Sequence, residues 1–575
     1  MKPPAKRLLL VGMAAMLAIP AVAQGALALL PGPAAPAAQP QPEAETETEV
    51  VEVVEEETVE TKAPPPPVEY PTHARRDPSL AGAVAPSTVG LGAEPWGQAS
   101  GAFLSTLLRR MDTPLASRWA HIGLRNALFA RSPPPDEVNP VDWTAERAWL
   151  LLRMGEADAA RMLVASVDTD LFTPKMVQVA VQTALANSDP LALCPLTAGM
   201  RRVEPTILPL VLAICSGLNA EPQSASAQIE TARRRGPVGG IDLALAQKAV
   251  GATSDTGTAA VIEWEPVEAL TAWRYGLSTA TGMSPPERLI ERASPQLRAW
   301  YARSPMIPFA DRLESARIAT GLGVFSSQAL NDYYSWIYDQ TDPNELSASD
   351  AWQLRLAFAA SSRDARLAAI RHLLAVGEGR LQREASRALV AAAAARIDPD
   401  PELEADAPEL IASMLAAGMD QQAARWAGAI EKMSDEHADP AWALLALGAP
   451  EGIVATNAGR VNAFINRDTS PGLKRSALLV AGLAALGRLD IETASRLNAR
   501  HRLHIGRTSS WSRMIDAAAR RGQSGTVRVL TGTGMQAPDF KSLPSAHLFR
   551  SVMALRNTDQ DFLARMIAAE ALART

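Results

Sequence analysis

The chain has 575 residues and a formal net charge of −6; hydrophobic residues make up 47% of it and aromatic residues 5%. This length allows several domains, or a helical array that grows by one unit at a time. The hydrophobic excess is largely Ala and Leu, which favours helices over sheets. The negative charge is concentrated in an N-terminal segment and the rest of the chain is close to neutral, which argues against nucleic acid as a partner, since its backbone requires a basic face.

The N-terminus predicts export. Three basic residues within the first seven precede an apolar run over residues 8–19, and the small-residue triplet Ala21-Val22-Ala23 follows. This pattern predicts a signal peptide over residues 1–23, cleaved after Ala23. The alternative is an uncleaved anchor over residues 8–30, a stretch long enough to span a bilayer. Either interpretation predicts a periplasmic body, which contacts a membrane only if the N-terminal segment is uncleaved.

Residues 24–95 predict a disordered linker. Pro, Ala and Glu dominate this stretch, and between Gln24 and Leu80 ten Glu and one Asp face one Lys and two Arg. Such a segment buries too little apolar surface to offset the conformational entropy that it would lose on folding, and its like charges keep it extended. We interpret it as solvated filler behind the signal; the alternatives are a spacer or an acidic arm that a partner recognises.

Helical periodicity begins at Trp96 and predicts a first lobe over residues 96–255. Residues 144–167 predict a helical hairpin, because apolar residues follow helical spacing on both sides of Gly155, where a helix would end. Glycine-rich breaks at 236–240 and 251–257 mark the end of this lobe.

Residues 256–346 form a middle segment that is rich in aromatic residues. Six of its side chains could offer flat faces to a protein or a sugar: Trp300, Tyr301, Tyr333, Tyr334, Trp336 and Tyr338. The alternative, which we favour, is that these rings pack in the core.

The last lobe, residues 347–575, returns to the hairpin pattern. Three turn glycines each have an apolar residue five positions on: Gly155 with Ala160, Gly418 with Ala423, and Gly522 with Val527. A glycine turn followed by a small residue at the helix contact resembles the centre of a tetratricopeptide repeat hairpin, most clearly at Gly155 and Gly418. The resemblance covers three short stretches and lacks the full aromatic signature and a clean period of about 34 residues. It implies a helical-hairpin solenoid that binds proteins rather than catalysing a reaction.

Two pairs of residues could carry further chemistry. Cys194 and Cys215 are 21 residues apart in a chain with the features of an exported protein, so we predict a disulfide between them; the alternative is two buried thiols. His501 and His504 have the spacing of metal ligands on one helix face, but the neighbouring arginines would repel a cation. We interpret that segment as an exposed helix end or a basic patch facing phosphate, and predict no metal and no cofactor.

The sequence therefore predicts an all-α protein, an irregular helical-hairpin solenoid behind a signal peptide and a disordered Pro/Glu-rich linker. Because we find no catalytic motif, we expect a non-catalytic periplasmic scaffold that binds another envelope protein or a peptide. The alternative is a protein associated with peptidoglycan or another polysaccharide, either a binding protein or an enzyme, that acts through the aromatic middle. A binding site is expected where the two lobes meet.

Overall fold

A computed structural model of the chain describes residues 71–253 and 260–575. Over these two ranges the protein consists of helices with two isolated β-bridges, and the described residues contain no strand. The prediction of an all-α fold is confirmed. The predicted signal peptide over residues 1–23, the alternative anchor over 8–30 and most of the predicted linker lie outside the described residues.

The α-helices follow one another throughout the described ranges. Those of the first lobe are α1 (Gly101–Arg110), α2 (Arg118–Phe129), α3 (Pro140–Met154), α4 (Ala157–Val164), α5 (Pro174–Ala186), α6 (Thr197–Val203), α7 (Leu208–Leu218), α8 (Pro222–Arg235) and α9 (Gly240–Thr253). The middle segment holds α10 (Ala272–Ala280), α11 (Glu287–Arg292), α12 (Pro295–Tyr301), α13 (Phe309–Leu322), α14 (Ser327–Gln340) and α15 (Pro343–Leu346).

The last lobe continues the series. Its helices are α16 (Asp350–Ala359), α17 (Arg363–Ala375), α18 (Arg380–Ala394), α19 (Ala407–Ala416), α20 (Asp420–Ala424), α21 (Ala427–Ile430), α22 (Asp435–Gly448), α23 (Ala458–Arg467), α24 (Lys474–Ala485), α25 (Ile491–His501), α26 (Ser510–Arg520), α27 (Ser524–Gly534), α28 (Ser545–Arg556) and α29 (Asp561–Ala573). Short 3₁₀ helices lie at Thr72–Ala74, Pro78–Leu80, Pro86–Val89, Thr169–Leu171, Pro190–Leu196, Pro401–Leu403 and Pro471–Leu473.

The predicted hairpin at residues 144–167 is formed by α3 and α4. The side chain of Asn139 caps the start of α3, and Gly155 ends it with a φ of 90°. This left-handed conformation is easily adopted only by glycine. A Cβ at Gly155 would lie 2.9 Å from the Cβ of Ala299, so the turn also packs closely against α12.

Two further turn glycines have the same conformation. Gly418 follows α19 with a φ of 75°, and Gly522 follows α26 with a φ of 69°. The apolar residues five positions beyond all three glycines are fully buried at helix contacts: Ala160, Ala423 and Val527. The pattern therefore marks real helical turns at widely separated places in the chain.

The chain from residue 71 to residue 95, which we name the N-terminal strap, packs against the helices. Ala81 and Leu91 are buried, and the carbonyl of Pro95 accepts a hydrogen bond of 2.8 Å from the backbone N–H of Gly525 in α27. The composition of this stretch instead predicts part of a disordered linker. Composition predicts whether a segment can form its own core; it does not reveal that a few apolar residues between prolines fit a surface formed elsewhere.

The two ends of the helical body meet. Glu570 of α29 accepts hydrogen bonds from the backbone N–H groups of Arg118 (2.7 Å) and Trp119 (3.2 Å) at the start of α2, and from the hydroxyl of Ser117. The carboxylate also pairs with Arg574. A negative charge here satisfies N–H groups that have no partner within α2 and complements the helix dipole.

This closure distinguishes the protein from the irregular helical-hairpin solenoid that the sequence predicted. In a solenoid each repeat contacts only its neighbours. Here α29 packs against α19, α22, α24 and α28, and also against α2 from the opposite end of the body. One continuous apolar core accordingly runs through the first lobe, the middle segment and the last lobe.

Arg118 joins these three parts at a single point. Its buried guanidinium donates to the carbonyl oxygens of Thr320 in α13 (2.8 Å), Phe325 in the following turn (3.2 Å) and Ala416 in α19 (2.7 Å). Burial lowers the pKa of this arginine, an effect that Glu570 opposes. The start of α2 is therefore fixed to the middle segment and to two helices of the last lobe, α19 and α29.

We expect Glu570→Ala to lower the free energy of unfolding by about 3–5 kcal/mol, because it leaves Arg574 and the N–H groups of α2 without their buried acceptor. Urea unfolding followed by circular dichroism measures this change. Glu492→Ala is the matched control, since Glu492 is 83% exposed and pairs with Arg496 on the surface of α25; it should change the free energy by less than about 0.5 kcal/mol. Equal effects of the two substitutions would contradict the role given to Glu570.

Candidate functional site

Most of the aromatic residues predicted as a partner or glycan surface lie in the core. Trp300, Tyr301, Tyr333 and Tyr334 are each 5% exposed or less. The packing of α14 against α13 and α18 explains this for Tyr334, whose hydroxyl accepts a hydrogen bond of 3.0 Å from the buried Arg317. These four side chains are core residues, as in the alternative interpretation.

The remaining two aromatic residues reach the surface. Trp336 is 54% exposed, and its ring stacks on Phe309 at 5.6 Å with an interplanar angle of 2°. Tyr338 is half-buried and stacks on Trp352. Of the six predicted residues, Trp336 alone presents a large exposed face.

Cys194 and Cys215 form a disulfide, with their Cα atoms 5.6 Å apart, so the predicted pairing is confirmed. The bond joins the 3₁₀ helix Pro190–Leu196 to α7. A cross-link that closes a loop of this size stabilises a protein by on the order of 3 kcal/mol. It fixes the position of Pro195 and Leu196, which line the cavity described next.

A cavity of about 340 Å³ lies beside the predicted hairpin. It is enclosed by α4, the chain from Val167 to Phe172, α5 and the 3₁₀ helix Pro190–Leu196, while Ala74 and Arg76 of the N-terminal strap form one side. We name it the hairpin cavity. Its volume falls at the lower end of the range of small-ligand and peptide side-chain pockets, about 300–1,000 Å³.

Two small apolar residues of α5 face the hairpin cavity. Ala180 and Ala184 are one helical turn apart, and both are buried. Val164, Phe172 and Leu196 form the walls around them. Two alanines at positions where helix packing usually places larger side chains leave the space that the cavity occupies.

The rim of the hairpin cavity carries two ion pairs. Arg161 contacts Asp189 at 2.8 Å. Asp168 accepts a hydrogen bond of 3.0 Å from the backbone N–H of Arg76, whose guanidinium lies 3.5 Å from the same carboxylate. Since Arg76 belongs to the strap and Asp168 to the body, the second pair also holds the strap against the cavity.

A further polar group at the rim is the amide of Asn187. Its Nδ2 donates to the carbonyl oxygens of Ala157 (3.0 Å) and Thr183 (2.8 Å), which fixes the plane of the amide. Its Oδ1 is thereby oriented as a hydrogen-bond acceptor beside the apolar interior. The arrangement combines an apolar pocket with a small number of fixed polar groups, which is typical of binding sites.

The junction of the lobes, where a site was expected, is filled. Arg118, Glu384, Arg387 and Glu570 surround a space of about 10 Å³, room for about one water molecule. The pKa of Arg387 is raised because Glu409 and Glu384 outweigh the effect of its burial. Charges at this junction hold helices together, and the larger space lies on the hairpin instead.

The two histidines with metal-ligand spacing do not share a helix face. α25 ends at His501, and the chain then turns through left-handed conformations at Arg502 and His504, with φ values of 55° and 57°. His501 contacts the side-chain oxygen of Asn462 at 3.2 Å. In residues 71–253 and 260–575 no group of three or more His, Cys, Asp or Glu side chains is placed to hold a metal ion.

The described helices include none with the length and apolar character needed to cross a membrane. Comparison with known proteins adds no assignment: no family model, curated protein or solved structure matches this chain. Its function is therefore argued from its own residues.

The disulfide loop contains one carboxyl group with an unusual proton affinity. Burial raises the pKa of Glu204 to about 7, although a hydrogen bond with Gln178 acts in the opposite direction. The unfolded chain releases this proton near pH 4.5. Between these two values the folded state binds more protons than the unfolded state, so the stabilising contribution is present below about pH 4.5 and is lost as the pH rises through about 7.

We therefore expect Glu204→Gln to become progressively more stable relative to the wild type between pH 5 and pH 8, since the amide does not ionise. Thermal unfolding at several pH values measures the difference. Glu265→Gln, at an exposed loop position, should show a constant difference from the wild type. A pH-independent difference for Glu204→Gln would contradict the raised pKa.

Proposed function

We propose that this protein is a non-catalytic binding protein of the bacterial envelope, and that it holds a peptide segment of another envelope protein at the hairpin cavity. The observation that carries this proposal is an apolar cavity of about 340 Å³ with fixed polar groups at its rim. A space of this size accommodates one or two apolar side chains of a peptide. The backbone of that peptide would then lie across the rim.

The rim has groups of both signs that a peptide backbone can use. The carboxylates of Asp168 and Asp189 and the Oδ1 of Asn187 accept hydrogen bonds, while the guanidinium of Arg161 donates them. A peptide alternates N–H donors and C=O acceptors, so paired charges at the rim suit it better than they suit an ion of one sign. Apolar side chains in the cavity would supply the affinity and rim contacts the orientation.

The ion pairs at the rim support binding without catalysis. Both rim carboxylates are held by arginines, Asp189 by Arg161 and Asp168 by Arg76. Both carboxylates are therefore engaged in ion pairs, rather than free to act on a substrate as a general acid or base does. The proposed envelope location rests on the N-terminal export pattern, and the disulfide is compatible with an oxidising compartment.

A photo-crosslinking amino acid at Ala165, an exposed residue of the cavity rim, tests the proposal in intact cells. We expect it to form an adduct with one envelope protein at fixed stoichiometry. Ala184→Phe should reduce that adduct at least tenfold, because the ring fills the space left by two alanines. Thermal unfolding of the purified variant establishes whether it is folded.

Ala227→Phe is the matched control for the filled cavity. Ala227 is an exposed residue of α8, outside the cavity lining, and the substitution adds the same ring. It should leave the adduct unchanged. An adduct that is equally strong in both variants, or the failure of any adduct to form, would contradict peptide binding at the hairpin cavity.

A second candidate function, binding of peptidoglycan or another polysaccharide, has support from one observation. The exposed ring of Trp336 is held flat by its stacking on Phe309, and Arg312 lies 4.7 Å from the centre of the Phe309 ring on the same assembly. A flat indole face that is fixed in orientation suits stacking against a sugar ring. Tyr334 has no part in such a surface, because it is buried.

For this second candidate we expect Trp336→Ala to reduce retention on purified peptidoglycan at least tenfold in a sedimentation assay. Phe103→Ala is the control, since Phe103 is also a surface aromatic residue, 37% exposed on α1, and should leave retention unchanged. If the wild-type protein is not retained, or if both variants behave alike, glycan binding through Trp336 is excluded.

A further inference from the structure

The turn between α25 and α26 presents a group of positive charges. Its sequence from Arg500 to Arg507 is RHRLHIGR, and we name these residues the basic loop. Leu503 and Ile505 are buried, whereas Arg502, His504 and Arg507 are exposed. Because buried and exposed residues alternate, two apolar side chains anchor the loop while the arginine side chains face outward.

Several contacts hold the basic loop in one conformation. The backbone N–H of Leu503 donates to the carbonyl of Asn498 at 3.3 Å, and that of Ile505 donates to the side-chain Oδ1 of the same residue at 3.2 Å. His501 contacts Asn462 of the adjacent helix α23. Arg502 and His504 adopt the left-handed conformation, which residues with a Cβ keep only where the surroundings hold them.

The arginines of the basic loop have no acidic partner. Over residues 71–253 and 260–575, no carboxylate lies within salt-bridge distance of Arg500, Arg502 or Arg507. One turn earlier, by contrast, Arg496 pairs with Glu492. Arg513, in the first turn of α26, donates to the hydroxyl of Ser510. Four guanidinium groups within 14 residues thus keep their charge uncompensated, on a body that is close to neutral overall.

Guanidinium groups match phosphate oxygens in charge and in hydrogen-bond geometry. The patch is compact and confined to one helix–helix turn, whereas nucleic acid requires a basic stripe or face that follows its backbone. Beside it on α26, Met514 is 37% exposed, an apolar side chain that could enter the headgroup region of a bilayer. These features together favour the surface of an anionic membrane.

We propose that the basic loop is a docking surface for the phosphate headgroups of an anionic phospholipid bilayer. This site is separate from the hairpin cavity and does not depend on the function proposed for it. It would hold the body at a membrane surface whether or not the N-terminal segment is cleaved. Each arginine near such a surface strengthens binding by a factor of about five.

Vesicle flotation of the full chain tests this proposal. The probes are vesicles of phosphatidylglycerol with phosphatidylethanolamine, and vesicles of phosphatidylcholine alone. The N-terminal apolar run is present in every sample, so the measured quantity is the preference for the anionic vesicles. We expect the triple variant Arg500→Gln, Arg502→Gln, Arg507→Gln to bind anionic vesicles about 100-fold more weakly than the wild type. Its binding to phosphatidylcholine should not change.

The chain offers a control with the same change of charge. Arg233, Arg234 and Arg235 are exposed at the end of α8, and changing all three to Gln should leave the preference for anionic vesicles intact. A third variant, Arg500→Lys, Arg502→Lys, Arg507→Lys, keeps the charge and should retain most of the binding. Circular dichroism of each variant checks that the fold is unchanged.

Four outcomes would overturn the proposal. The wild type could show no preference for anionic vesicles, or the loop variant and the α8 variant could lose binding equally, which would indicate net charge alone. Inorganic phosphate could displace the protein from vesicles at low millimolar concentration, which would indicate a site for free phosphate. Finally, the protein could bind duplex DNA more tightly than it binds the vesicles at the same ionic strength, and the loop variant could lose DNA binding as well, which would indicate a site for nucleic acid.

Discussion

The carboxylate of Glu570 connects the last helix of the chain to the first lobe, and the architecture depends on that connection. It accepts hydrogen bonds from backbone N–H groups at the start of α2, which have no acceptor within α2. It also pairs with Arg574, which directly follows α29. Without it a buried helix N-terminus would lie against an apolar surface with unsatisfied donors, at a cost that is large compared with the net stability of most proteins. An array of hairpins that would otherwise end freely is instead closed on itself.

Buried arginines extend the same principle to the rest of the body. Arg118, Arg147 and Arg528 each donate to backbone carbonyls of chain segments that are far apart in sequence. Burial lowers the pKa of Arg147 to about 9 and that of Arg528 to about 10, both still above neutral pH. Helices rich in alanine approach one another closely, and long guanidinium side chains then reach the carbonyls at their ends. The N-terminal strap is held partly in this way, since Arg147 donates to Ala81 and Arg528 to Val89.

The two proposed binding surfaces use opposite chemistry, and both lie between helices rather than along them. The hairpin cavity is apolar inside, its rim charges are paired, and its size follows from Ala180 and Ala184 together with a wall fixed by the disulfide. The basic loop is anchored by Leu503 and Ile505, and its charges are unpaired. The first arrangement suits a partner that offers apolar side chains and a polar backbone; the second suits a surface of one charge. Helix termini and turns provide such sites because many of their side chains and backbone groups lie at the surface and are not used in packing the core.

Local sequence features predicted the helical class, the hairpin around Gly155, the turns at Gly418 and Gly522 and the pairing of Cys194 with Cys215, since periodicity, glycine turns and cysteine spacing are local properties. Helical periodicity also allowed the core interpretation of Tyr333. The tertiary structure decided which aromatic rings are buried, that the strap from residue 71 packs on the body, and that α29 meets α2. These depend on contacts between residues up to several hundred positions apart, such as Glu570 with Arg118, for which a single sequence carries no local signal. The hairpin cavity belongs to the same class, because an empty space is defined by the side chains that five separate segments place around it.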